Sequence, residues 1–293
     1  MKKSTLLHLR IPFSYYLLPV YLFALCIAET ISWGNAMISF CAIHFFLYPA
    51  SNGYNSFFDK DTDSIGGLRN PPMVTKELYY VSLAFDLIAI LLGLMISIQF
   101  SVMLFVYGLI SKSYSHPALR LKKYPVLGWL AAGVFQGYFT LIMSYTAITG
   151  QLVESVESPV HLAGILSTVL LMGSYPMTQI YQHEADELRG DKTISMKLGV
   201  LGTFHFTAII FTLTLFLFGF YFIEYYSLNV AIIFVLVLTP VLIYFGHWYL
   251  SARKEIGKVN FDKTMQLNFL SATALNLFFL WLGFIWKELH RFF

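Results

Sequence analysis

Asn55-Ser-Phe-Phe-Asp59-Lys-Asp61-Thr-Asp63 closes an apolar run that begins near Asn35. An apolar stretch that ends in acids reads as a membrane helix reaching a polar loop. Asn55, Asp59 and Asp63 recur every four residues, so a continued helix stacks them on one face and turns Asp61 elsewhere. A second acidic cluster, Glu184-Ala-Asp186-Glu187-Leu-Arg189-Gly-Asp191, also follows an apolar run. Two carboxylate clusters at helix ends suit a divalent metal, because hard cations such as Mg²⁺ take several oxygen ligands.

The composition agrees with a membrane protein. The 293 residues are 57% apolar and 12% charged, about half the charge of soluble domains. The net charge of +3 is too small for a nucleic-acid partner. Cys26 and Cys41 lie inside apolar runs and read as small buried residues. Most of the 28 Phe and 19 Tyr read as packing and interface anchors, with enough left to line an aromatic cavity.

Nine apolar runs are expected to span the bilayer: about 12–28, 35–58, 78–98, 99–111, 126–148, 160–182, 200–222, 228–250 and 267–286. The fourth is short and is expected to begin a few residues earlier. The fold class is therefore all-α and polytopic, one transmembrane domain over 1–293, with about nine helices. With a cytoplasmic N-terminus, 17 of the 19 Lys and Arg fall on the cytoplasmic side. Only Lys287 and Arg291 fall opposite. This strong positive-inside bias sets the orientation. Both acidic clusters then face the cytoplasm, four helices apart, a spacing that hints at a duplicated half.

The acidic clusters resemble those of the UbiA superfamily of intramembrane prenyltransferases. Asn55-x-x-x-Asp59-x-x-x-Asp63 looks like the first aspartate motif. Glu184-x-x-Glu187-x-x-x-Asp191, followed by Lys192-Thr and Lys197-Leu-Gly199, looks like the second. Tyr114-Ser-x-Pro-x-x-Arg120-Leu-Lys122 is similar to a loop of the quinone, tocopherol and chlorophyll branches. The chain departs in having Ser56 after Asn55, and glutamates where the second motif often has aspartates. His183 and Asp186 stay open as alternative ligands there.

The resemblance implies about nine transmembrane helices around a central cavity, and Mg²⁺-dependent transfer of an isoprenoid chain from a prenyl diphosphate donor to an aromatic or other lipophilic acceptor. The metal ligands it implies are Asp59 and Asp63 with Asn55, and Glu187 and Asp191 with Glu184. Phosphate contacts are expected from Arg69, Lys112, Arg120, Lys122, Arg189 and Lys192. Asn52 and Gln179, the polar residues nearest the two motifs, are expected at the substrate. Asp86, inside the third run, reads as a buried polar residue paired with a helix neighbour, with a role at the acceptor site as the alternative. Membrane lipid is the surrounding partner, and a bacterial plasma membrane the expected location. Two alternatives carry the same acids: a membrane terpene cyclase, which needs no acceptor, and a cation-coupled transporter.

Overall fold

The computed structural model describes residues 1–286; Lys287 and Arg291 lie outside the described residues. Among these there is no strand, only one isolated bridge between Ile65 and Leu68. The helices are α1 (Lys3–Leu9), α2 (Leu18–Ile27), α3 (Trp33–Phe40), α4 (Tyr48–Asp59), α5 (Lys76–Leu94), α6 (Ile98–Ser115), α7 (Pro125–Val134), α8 (Thr140–Thr149), α9 (Ser158–Gln179), α10 (His183–Leu188), α11 (Ile194–Tyr225), α12 (Leu228–Lys254) and α13 (Phe261–Leu280). π-Helical segments join α3 to α4 (Cys41–Leu47) and α7 to α8 (Phe135–Phe139), and extend α13 (Trp281–Trp286).

Side chains set several of the starts. Ser97, Thr193, Ser227 and Asn260 each accept a hydrogen bond from the backbone N–H three residues on, which satisfies a donor orphaned at a helix N-terminus. The Asn260 cap starts α13 six residues before the expected apolar run, at Phe261. The fourth run begins one residue earlier, at Ile98, and lengthens mainly at its other end, through Ser115.

The expected count of nine membrane spans is not reproduced. Among the described residues, six helices are long and apolar enough to cross: Lys76–Leu94, Pro125–Thr149, Ser158–Gln179, Ile194–Tyr225, Leu228–Lys254 and Phe261–Trp286. A seventh is the pair Lys3–Tyr16 and Leu18–Ile27, bent by 43°. The remaining rods, α3–α4 and α6, carry polar residues that dilute their apolarity: Asn52, Asn55 and Asp59 on the first, Lys112 on the second. The fold is nevertheless all-helical and membrane-spanning.

The helices close into a ring. Each of α4–α5, α5–α6, α7–α9, α9–α11, α11–α12 and α12–α13 packs as a pair, and α13 returns against α2. A close seam runs between α9 and the α7–α8 rod. A Cβ on Gly137 would stand 2.5 Å from the Thr168 Cα, and one on Gly133 2.5 Å from the Met172 side chain. Gly133-Val-Phe-Gln-Gly137 thus lets two backbones approach closely, as small residues do in membranes. Thr168 Oγ1 accepts from the Tyr138 N–H at 2.9 Å in the π segment, where the helical ladder is interrupted. Cys26 and Cys41 form no disulfide.

Inside the ring is an apolar cavity of about 250 Å³, walled by residues such as Leu17, Val20, Leu171, Leu215, Leu238 and Leu275. A smaller chamber of about 180 Å³ lies between α4, α6 and α7. The two share Ser51, Asn52, Tyr107, Ala132, Gln136 and Tyr175 as common wall.

Candidate active site

Three interhelical loops meet at one end of the ring, and each brings charge inward. α4 stops at Asp59 because Lys60 turns into the left-handed region, at φ 53°. The four-residue stacking therefore ends there. Asp61 swings inward, with its side chain 8% exposed, while Asp63 is left exposed at the rim. The α6–α7 loop turns at Arg120, also left-handed at φ 43°, and buries Lys122. On α10, Glu184 and Glu187 are three residues apart and share the exposed face; Asp186 faces inward and is buried. Gly190, at φ 72°, reverses the chain after α10 and lets the Asp191 N–H donate to the Asp186 carbonyl at 2.9 Å.

Four acids and three bases interlock there. Arg120 holds Asp191 with a bidentate pair, Nε–Oδ1 2.7 Å and Nη2–Oδ2 2.9 Å, and lies 3.8 Å from Asp59. Lys122 donates to Asp59 and stands 3.5 Å from Asp191. Arg189 reaches across the loops: one arm donates to Asp61, the other to Asp186, and its Nε lies 3.7 Å from Asp191. These pairs are strong because Arg offers a planar fork to carboxylates. Burial pushes the Asp186 carboxyl up to about 6, against the pull of Arg189. Burial also raises Asp61, with Asp59 adding to the effect. Asp191 moves the other way: burial opposes it, but the Arg120 hydrogen bond and nearby bases hold it below the usual range.

Asn55, one turn before Asp59, accepts a hydrogen bond from Ser115 and lines the smaller chamber. Asn52 lines both cavities and reaches the Leu9 carbonyl at 3.5 Å. Gln179 is buried on α9, near the second cluster, with its Oε1 unpartnered. Three expected phosphate contacts lie elsewhere. Arg69 is exposed and paired with Asp262. Lys112 is spent on Asp86, an ion pair between α6 and α5. Lys192 is exposed. His183 bonds Ser195 at 2.8 Å. In the sequence Arg10 counts only as a topology marker. In the structure it donates to the Gly66 carbonyl at 2.9 Å and lines the chamber. Its signal is a base directly before Ile11-Pro12, where proline bars continuation of α1 and the left-handed turn at Arg10 redirects the chain.

Among the described residues, no three His, Cys, Asp or Glu side chains stand as a bare metal-binding group. Each inward carboxylate is already engaged by a base. The donor set itself is all hard oxygen, which fits Mg²⁺ better than a soft metal.

The arrangement matches a known family. Residues 17–270 fit the model of the UbiA prenyltransferase family. The chain belongs to that family. No curated protein matches it. Among solved structures it is similar to a UbiA homologue from Archaeoglobus fulgidus bound to GPP and Mg²⁺, at 19% identity and TM-score 0.66, covering 95% of this chain and 99% of that one. The same homologue bound to DMAPP and Mg²⁺ is similar at 18% identity and TM-score 0.66, covering 97% and 100%. A structure of digeranylgeranylglyceryl phosphate synthase is similar at 19% identity and TM-score 0.58, covering 96% of each. At such identities the likeness establishes the UbiA-type fold of a multi-pass membrane protein.

Proposed function

We propose that this prenyltransferase-family protein moves an isoprenoid chain from an allylic diphosphate to a lipophilic or aromatic acceptor, with Mg²⁺ at the diphosphate. The observation that carries the reading is a gradient of polarity. A cluster of acids and bases sits at the loop end, a mixed chamber with Arg10, Asn52 and Asn55 follows, and an apolar cavity extends into the ring. Few ligands other than an amphiphile with a charged head match that order. The structural relatives bound to GPP and DMAPP with Mg²⁺ support the choice of head group.

Asp59, Asp61, Asp186 and Asp191 are the inward carboxylates that would hold the metal, with Asn55 behind them; Asp63, Glu184 and Glu187 stand at the mouth. A bound hard cation supplies neutralisation of the leaving diphosphate. Arg120, Lys122 and Arg189 bind phosphate oxygens by charge-assisted hydrogen bonds. At about 10–15 Å³ per water-sized site, the apolar cavity has room for roughly twenty such sites, the size of a tail of about three or four isoprene units. Tyr48 and Tyr107, whose rings lie 5.9 Å apart, line the apolar cavity with faces that stabilise positive charge at the allylic carbon. The apolar walls keep water from that carbon. The acids lie on the side expected to be cytoplasmic, in a bacterial plasma membrane.

The test follows pyrophosphate release from a labelled C15 or C20 allylic diphosphate with Mg²⁺, with and without phenolic acceptors. Acceptor-dependent release is the expected result. Release without acceptor, giving a cyclic hydrocarbon or alcohol, would transfer the assignment to a terpene cyclase. No release and no Mg²⁺-dependent diphosphate binding would put the transporter reading ahead.

A further inference from the structure

We infer that Arg189 makes metal and diphosphate binding depend on each other. This inference rests on the function proposed above. Its observation is the pairing pattern itself. Arg189 is the single side chain among the described residues that pairs with Asp61 from the α4–α5 loop and Asp186 from α10 at once. Together with Arg120 and Lys122 it leaves none of the four inward carboxylates unpaired. The seven side chains are between 1% and 19% exposed, so little water is available to replace a lost partner.

A self-neutralised site resists either ligand alone. Metal that takes the carboxylates displaces the bases and strands them half-buried. Diphosphate that takes the bases strands the carboxylates. An ion left unpaired in a buried position is costly. When both ligands enter, every charge is paired again: carboxylates on metal, bases on phosphate. Each ligand therefore raises the affinity of the other by the same factor. Arg189 dominates the exchange because it ties both loops and shares its charge between two acids. Arg10, bonded to the carbonyls of Gly66 and Asn52, forms no ion pair with the four acids and acts on them only at longer range.

The experiment titrates the purified protein in detergent with Mg²⁺ alone, inorganic pyrophosphate alone in chelator, and each in saturating amounts of the other. Binding is read by calorimetry. For the unmodified protein, each ligand is expected to tighten the other at least tenfold, within the usual range of such couplings. Arg189→Gln should bind Mg²⁺ alone more tightly than the parent, bind pyrophosphate at saturating Mg²⁺ more weakly, and lose most of the coupling. Asp61→Asn should do the converse, binding pyrophosphate in chelator more tightly, because one arm of Arg189 is released. Arg189→Lys keeps the charge without the fork and should fall between. A purely structural role for Arg189 would weaken both ligands together, and that result would overturn the inference. Coupling below twofold in the parent, with both ligands bound, would overturn it while leaving the proposed function standing. Failure of the parent to bind either ligand under any condition would overturn the function first and this inference with it.

Discussion

Asp186 shows how one carboxyl sets the working range of the site. Burial holds it at about 6, above the usual aspartate value of about 3.9. Only the ionised form ligates a hard cation, so apparent Mg²⁺ affinity should fall about tenfold per pH unit below 6, read by calorimetry across pH 4.5–7.5. An affinity flat through that range would contradict the placement. For stability the sign reverses. A folded value raised above the unfolded one contributes stability that is present below about 4 and is lost as pH rises through 6. Of the residue-scale picture, Asp59, Asp191, Arg120, Lys122 and Arg189 are legible in the sequence, because charges at the ends of apolar runs have few other uses. Asp61 is not, because a four-residue spacing implies stacking only while the helix lasts. The helix ends at Asp59, and a left-handed Lys60 rotates Asp61 into the site. Asp186 stays open between alternatives in the sequence. Its inward face depends on where the short α10 begins, at His183, which no periodicity in six residues can reveal.

At the scale of elements, the seam between the α7–α8 rod and α9 carries the most specific expectation. Gly137 faces the backbone of Thr168, where even a methyl group has no room. Gly137→Ala should cost about 1–3 kcal/mol and lower the thermal midpoint in detergent; Gly219→Ala, with open space around its Cβ position, is the control and should be near neutral. Equal stability of the two variants would mean that the helices do not meet at Gly137. The helices themselves are readable from apolar run length. Their ends are not, because caps such as Asn260 and backbone turns such as Gly199, at φ 70° inside α11, lie outside the apolar pattern. The π segments are not read from the sequence, since His44 in the first and Gln136 in the second fit a continuous membrane helix as well as a π turn.

Over the whole molecule, the ring places all three charged loops at one end, in line with the positive-inside expectation for Arg10, Arg120 and Arg189. A cysteine introduced at Lys192 should react with an impermeant thiol reagent in inside-out vesicles but not in right-side-out ones. Labelling only in the latter would reverse the orientation. The cavity in the ring is expected from the family resemblance; its division into an apolar part and a polar chamber is not, because it depends on which faces of α4, α6 and α7 meet. The central claim is that the inward acids, rather than every acid of the two clusters, form the diphosphate site. It is tested most directly by Mg²⁺-dependent pyrophosphate release from a C15 or C20 allylic diphosphate, compared across Asp59→Asn, Asp186→Asn, Glu184→Gln and Glu187→Gln. Turnover should fall by about a hundredfold or more in the first two, equivalent to about 2.7 kcal/mol in the barrier, and stay within about threefold in the glutamate variants. Release that survives Asp186→Asn but is lost in Glu184→Gln or Glu187→Gln would contradict the account.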